Sequence, residues 1–264
     1  MVRRLITEEP PSALATWSRW VALFAVAVAL FALILVRGGF VETIPGFVVL
    51  AVGLVLAVIA ILLACAAFVV IWINDPPGFG RALLGFFLGV ALVSYPAYLG
   101  ARAWRLPVLA DITTDTADPP RFDAIGRLRA RLRDANSVNY AGAEAAQKQQ
   151  SAYPDIVSLD VNASPTDAYD AALEVMTARK WLIIEAREPQ VRRRDGRIEA
   201  VARTPVMGFR DDVVVRVRQA AGGTRVDVRS SSRFGKQDFG ANARRVRALL
   251  ADIDEAVSNQ PSSQ

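Results

Sequence analysis

Three long apolar stretches, separated by short polar breaks, fill roughly the first hundred positions, and beyond them the hydrophobic pattern breaks into short runs. Trp20 to Val36 is uncharged between Arg19 and Arg37, Gly46 to Ile73 carries no charge, and Ala82 to Ala101 lies between Arg81 and Arg102. Each reaches or exceeds the ~17 residues that cross a hydrocarbon core of ~30 Å as a helix. Trp17, Trp20, Trp72, Tyr98 and Trp104 fall near the span ends, where an amphipathic ring sits at headgroup level. Residues 1–106 therefore read as a three-span transmembrane region. The first span precedes two more and lacks a small-residue cleavage site, so it is expected to remain in the mature protein. No ionisable residue lies inside a span, which points to an anchor rather than an ion pathway. Gly85 and Gly89 give the third span a surface on which another helix can pack closely.

Downstream the periods change. Leu106 to Phe122 contains Pro107, Pro119 and Pro120 and reads as an extended strap. Ile125, Leu128 and Leu132 recur at helical spacing among Arg127, Arg129, Arg131 and Arg133, a short amphipathic helix whose arginines face either water or anionic headgroups. Ala141 to Gln150 is a linker or an extension of that helix, which completes a connecting segment over 107–150. In the soluble domain, 151–264, Ile156, Val157, Leu159 and Val161 suggest a strand. Ser164-Pro165 then supplies an N-cap and first-turn proline for a helix through Arg179, with Ala168, Ala172, Val175 and Met176 on its buried stripe. Strands follow at Trp181 to Arg187, Arg197 to Arg203, Asp212 to Gln219 and Thr224 to Ser230. A last helix, from about Ala241 to Val257, places Val246, Leu249, Leu250, Ile253 and Val257 on one face. Strands clustered between two helices predict an α+β fold, an antiparallel sheet with helices packed on one face.

Composition adds exclusions. The chain is 53% hydrophobic and 22% charged, an average over two unlike parts. Of its 31 basic and 26 acidic residues, 24 and 22 follow Leu106, so the soluble part is nearly neutral and its charges are mixed. That is not a nucleic-acid footprint, and no nucleic-acid partner is expected. Near the spans, Arg3, Arg4, Arg19 and Arg81 outweigh Arg37, Arg102 and Arg105 on the opposite side. The bias puts the N-terminus in the cytoplasm and the C-terminal domain outside it, in the periplasm of a bacterial inner membrane. The single cysteine, Cys65, lies in the second span and says nothing about the domain's compartment. With no histidine in the chain, Ser-His-Asp and Cys-His catalysis and imidazole metal ligation are excluded. No Walker or dinucleotide motif joins a strand to a helix, and neither a cofactor nor a metal is expected.

Two features carry candidate chemistry. A two-residue turn at Gly222-Gly223 would pair Val217 with Val228 and set Arg216 opposite Arg229, a like-charge arrangement that calls for Glu199 or a bound anion to balance it. Then Ser230, Ser231, Ser232 and Arg233 lead through Gly235, Lys236, Asp238 and Gly240 to Asn242 at the last helix. Hydroxyls and cations before a helix N-terminus suit an anion, whereas strand ending, tight turning and capping by Asp238 or Asn242 account for the same residues structurally. The ligand-binding candidates are Arg216, Arg229, Ser230, Ser232, Arg233, Asp238 and Asn242. For acid–base work only carboxylates remain, chiefly Asp212 and Asp238. Adjacent Asp211 and Asp212 point to opposite faces of a regular strand.

The run Arg203-Thr204-Pro205 through Gly208-Phe209-Arg210-Asp211-Asp212 to Val217, then Arg225 to Ser230, and Ser232-Arg233 with Asp238, Gly240, Asn242 and Arg245, resembles the domain of unknown function 1499 family. Asp111 to Asp115, Pro119 to Phe122 and Tyr153-Pro154-Asp155 extend the resemblance, which covers about Asp111 to Val257. It implies a domain usual in bacterial envelope proteins, sometimes behind membrane spans, and in plastid relatives, with no established activity and no assigned catalytic residues. Two readings follow. In one, the domain is a non-catalytic envelope module, anchored in the lipid bilayer, that binds an envelope protein, a lipid headgroup or a small anion. In the other, it is a histidine-independent enzyme that uses aspartate and arginine on an anionic envelope substrate.

Overall fold

A heptad of small residues organises the first part of the chain. In the computed structural model, which describes residues 10–41, 43–190 and 195–259, helix α1 (Ala13–Arg37) buries Ala15, Ser18, Ala22, Ala25, Ala29, Ala32 and Val36. The steps alternate between three and four, which keeps one stripe facing a neighbour. Helix α2 (Thr43–Asn74) answers with Gly46, Gly53, Ala57, Ala60, Ala64 and Ala67. With so little side chain between them the backbones approach closely, and a Cβ built on Gly53 would lie 3.3 Å from the Ala29 nitrogen. The Ser18 hydroxyl donates to the Ala60 carbonyl at 3.0 Å, so the polar group in the seam is satisfied. Helix α3 (Phe79–Ala103) joins through Ala82, Gly85 and Gly89, and a Cβ on Gly89 would stand 2.9 Å from the Ala57 carbonyl oxygen. Large side chains such as Phe24, Leu62 and Phe87 point outward. All three helices are long and apolar enough to cross a membrane, which is compatible with anchoring in one. Arg3 and Arg4, which enter the orientation count, lie outside the described residues.

The chain divides into two compact units, Met1–Ala101 and Arg102–Gln264. The second holds an antiparallel sheet of six strands: β1 (Asp111–Thr113), β2 (Leu159–Val161), β3 (Leu182–Arg187), β4 (Asp195–Arg203), β5 (Arg210–Ala220) and β6 (Gly223–Ser232). The order is β1-β6-β5-β4-β3, and β2 shares with β1 the outer edge of β6. Helices α6 (Pro165–Ala178) and α7 (Ala241–Asn259) pack on one face. Ser164 caps α6 by accepting from the Asp167 amide at 3.1 Å, and Pro165 follows it. Beneath the two helices lies an apolar core that includes Tyr169, Met176, Val213, Val215, Val217, Val246 and Ile253.

Three local expectations change. Asp111–Thr113, inside the expected strap, is a strand, because it lies antiparallel to β6 in the register Asp111↔Ser231 and Thr113↔Arg229. Its other edge is closed by a side chain: the Gln149 carboxamide accepts from Thr113 N at 3.0 Å and donates to Thr113 O at 2.6 Å. Gln149 belongs to α5 (Ala143–Ala152), so this stretch is a helix of its own rather than a linker. The β2 strand is also shorter than the run from Ile156 suggests.

The hairpin register differs by one residue at the turn. Ala220 pairs with Gly223, so Ala221-Gly222 forms the turn, and Arg216 stands opposite Asp227 rather than Arg229. Gly222 takes the left-handed position at φ +84°. Gly223 is drawn into β6, where a Cβ would strike the Val161 carbonyl of β2. The expected clash between Arg216 and Arg229 therefore does not arise.

The sheet's second face is covered as well. The chain from Thr114 to Tyr140 crosses it and includes α4 (Ala124–Arg129), with Phe122 and Ile125 packed on Val201 and Val214. Charges that the alternation assigns to an open face thus end up between the sheet and this strap.

Candidate functional site

Under the strap Arg216 of β5 and Asp227 and Arg229 of β6 each find a partner inside the domain. Arg216 donates from Nε and Nη2 to Asp227 Oδ2 at 3.0 and 2.9 Å, and from Nη1 to Asp118 Oδ2 of the strap at 2.8 Å. Arg229, only 2% exposed, donates to Asp111 Oδ2 at 2.6 Å and to the Pro120 and Val138 carbonyls at 3.0 and 2.9 Å. Its guanidinium carbon lies 4.9 Å from the Phe122 ring centroid, a desolvated cation–π contact. Both arginines are saturated by the fold's own acceptors.

A second group sits further along the same face. Arg233 donates from Nε and Nη2 to Asp212 Oδ1 at 2.8 and 2.7 Å, while Arg129 of α4 places Nε 3.1 Å from Asp212 Oδ2. The helical periodicity leaves Arg129 on a solvated or lipid-facing surface; instead it lies four residues from Ile125, on the face turned to the sheet, and is buried. Burial pushes the Asp212 carboxyl upward against the pull of Arg233 and Arg129.

Ser230, Ser232, Asn242 and Asp238 lie across the sheet, at the start of α7. The Ser230 hydroxyl donates to Asn242 Oδ1 at 2.8 Å, and Asn242 Nδ2 donates to Ser232 Oγ and to the Ala110 carbonyl, both at 3.0 Å. Asp238 caps the helix, accepting from the amides of Gly240 at 2.8 Å and Asn242 at 2.6 Å. Burial raises its pKa above the usual carboxylate range. Asp211 turns to this face and pairs with Arg245, while its neighbour Asp212 turns to the other. The structure thus separates the two acid–base candidates: Asp212 is under the strap, and Asp238 is at the helix cap. Of the seven binding candidates, three arginines share the strap face and the other four share the α7 face, where each is hydrogen-bonded within the domain.

Glu199, which the sequence offers as a partner for arginine, is fully buried and serves a different group. It accepts from three successive amides at the start of α4, those of Asp123 at 2.6 Å, Ala124 at 3.3 Å and Ile125 at 2.8 Å. A carboxylate from a strand thereby caps a helix far away in sequence, and no local motif announces it. Burial first, and Glu185 beside it, push its pKa up. Asp123, Glu185 and Glu199 bring carboxylate oxygens within 4.8 Å of one another. Arg197 already pairs with Asp123 and the α4 amides occupy Glu199, so this group has the partners of a helix cap rather than of a metal centre. A shallow pocket of 210 Å³ beside the hairpin turn is lined by Asp160, Asn162, Ala221 and Thr224 among others, and none of the candidates borders it.

Comparison with known proteins gives one family. The model described as a protein of unknown function, DUF1499, matches residues 111–253. No curated protein matches. Among solved structures, the crystal structure of TTHA0849 from Thermus thermophilus is similar at 16% identity over 39% of this chain and 94% of that one, with a TM-score of 0.22.

Proposed function

Because the chain belongs to the DUF1499 family, a family of unknown function matched over residues 111–253, and carries three helices able to cross a bilayer, we propose that it is a membrane-anchored envelope protein whose soluble domain is a non-catalytic binding module. It holds an anionic ligand, a lipid headgroup or a partner protein, and it sits in a bacterial inner membrane with the domain in the periplasm. The observation that carries this reading is the commitment of the carboxylates. Asp212 is shared by two arginines and Asp238 by two amides, on opposite faces of the sheet. An acid and a base acting on one substrate need a common cleft, and these two do not share one.

The test uses the full chain in lipid nanodiscs, screened by thermal shift against inorganic anions, divalent cations, envelope lipids and soluble cell-wall fragments, with chromatography of every compound that raises the midpoint. Binding without conversion is the expected result, and photo-crosslinking in the membrane finds a protein partner if no small compound binds. Conversion that disappears in Asp212→Asn or Asp238→Asn would establish the alternative, an enzyme acting on an anionic envelope substrate.

A further inference from the structure

Arg203 and Arg210 are directly paired across β4 and β5. On the other side of β5, the ladder runs through Asp211↔Ser232, and one further step brings Arg233 in line with Arg210. Three arginines therefore form one row across the end of the sheet, on the face that also bears Asp212. Neighbouring strands lie roughly 4.8 Å apart, so the middle guanidinium has a cation on each side. Like charges directly opposite one another destabilise a sheet. Asp212 is the carboxylate that acts on Arg210 from nearby, and it is already engaged by Arg129 and Arg233.

Among the described residues the Arg210 side chain forms no hydrogen bond or ion pair, and it is exposed, as is Arg203. Its own pKa is lowered by burial and by the charges of Arg233 and Arg203. The contrast with Arg216 and Arg229 is chemical. Those two are buried and saturated, whereas Arg203 and Arg210 reach the surface at the β4–β5 loop with the central fork open, beside the buried Arg233 that Asp212 holds. The loop 204–209 is held by its own bonds, Phe209 N to Thr204 Oγ1 at 2.9 Å and Thr204 N to Phe209 O at 2.8 Å, and it carries the exposed Val206 at its tip. A rigid turn thus fixes the spacing of the two arginines that flank it.

We propose that Arg203, Arg210 and Arg233 form a binding site for a phosphate group, with Arg210 as its central donor. Planar guanidinium forks match the paired oxygens of a phosphate, and adjacent forks clamp it from two sides. Two sources present this group, a phospholipid headgroup or a free phosphate, and the exposed apolar loop tip beside the row suits the first. The inference rests on the binding reading above and names its ligand class.

The test compares the full chain with Arg210→Gln in phosphatidylcholine nanodiscs. Inorganic phosphate is titrated against chloride of matched ionic strength, and in parallel part of the phosphatidylcholine is replaced by phosphatidylglycerol. The unliganded variant is expected to melt no lower than the parent, since it loses a repelled charge. A midpoint raised by a few degrees in the parent and not in the variant establishes the site. The phosphate arm then reports a free anion and the phosphatidylglycerol arm a headgroup. No shift in either arm, or an equal shift in Arg210→Gln, overturns the site. A screen hit that leaves this row indifferent removes the proposal while the binding reading stands.

Discussion

Arg129 on α4 and Asp212 on β5 meet with Nε 3.1 Å from Oδ2, and both side chains are almost wholly withdrawn from water. The pair pins the strap to the sheet. Removing one member of a buried ion pair leaves the other charge desolvated and costs about 3–5 kcal/mol. Arg129→Ala leaves Asp212 with Arg233, so a loss of about 3 kcal/mol is expected, at the lower end of that range. Urea denaturation of the detergent-solubilised chain, followed by hydrogen exchange of the sheet amides, checks it; a loss below about 1 kcal/mol would mean that the pair contributes little.

Glu199 predicts a pH dependence. Its folded pKa lies above the ordinary 4.5 because the side chain is buried, with Glu185, Asp123 and Arg197 around it. As pH rises past 4.5 the unfolded chain releases this proton while the folded chain keeps it. Stability contributed by the group therefore falls from pH 4.5 up to the raised folded value and is level beyond it. The measurement is unfolding of the parent and of Glu199→Gln across that window, in which the parent loses ground to the variant. A constant difference between them contradicts the assignment.

The two glycines of the hairpin should respond differently. Gly222→Ala puts a side chain in the left-handed region, at a cost of about 1 kcal/mol. Gly223→Ala drives a methyl group into the Val161 carbonyl and should cost about 1–3 kcal/mol. It should also raise exchange at the amides that join β2 to β6 while leaving the β5–β6 ladder protected. Equal exchange changes in both variants would contradict the assigned register.

In the membrane-spanning unit the small-residue seam is the sensitive feature. Ala57→Leu overfills the contact between α1 and α2 and should lower the melting midpoint of the nanodisc-embedded chain, by an amount corresponding to about 1–3 kcal/mol. Leu62→Ala alters an outward-facing residue of the same helix and should leave the midpoint nearly unchanged. The pair of midpoints separates helix packing from general hydrophobicity.

Sidedness is open to a reporter. Alkaline phosphatase fused after Gln264 should be active and a green fluorescent protein at the same place dark, as expected for a periplasmic C-terminus. The reverse pattern would relocate the domain to the cytoplasm and remove the cell-wall compounds from the search for its ligand.

The spans and the two long helices of the domain are legible because their signals are local: an uncharged run, a cap such as Ser164-Pro165, an apolar stripe. The seam of Ala15, Ser18, Ala22 and Ala25 is also present in the sequence as an alternation of three and four, hidden because the helix is apolar on its other faces as well from Trp20 to Val36. The hairpin turn reads one residue out of place because two glycines in a row offer two turns, and the choice depends on Val161, far earlier in the chain. That slip moves each cross-strand partner by two places, which preserves the faces but exchanges a repulsion for the Arg216–Asp227 pair. The burial of Arg216 and Arg229 is illegible because their covering partners, Asp118, Asp111 and Pro120, belong to a segment with no apolar period of its own.

The pairing of β1 with β6 ties the beginning of the domain to its end, and Arg229 finds Asp111 across 118 residues of sequence. A ribosome therefore delivers the strap long before the strand it docks on. Until β6 emerges, Asp111 lacks the arginine it will meet, whereas Ile184 of β3 and Glu199 of β4 already offer contacts to the α4 segment. Pairing over such a span slows folding, and the last strand to be synthesised completes both edge and cover.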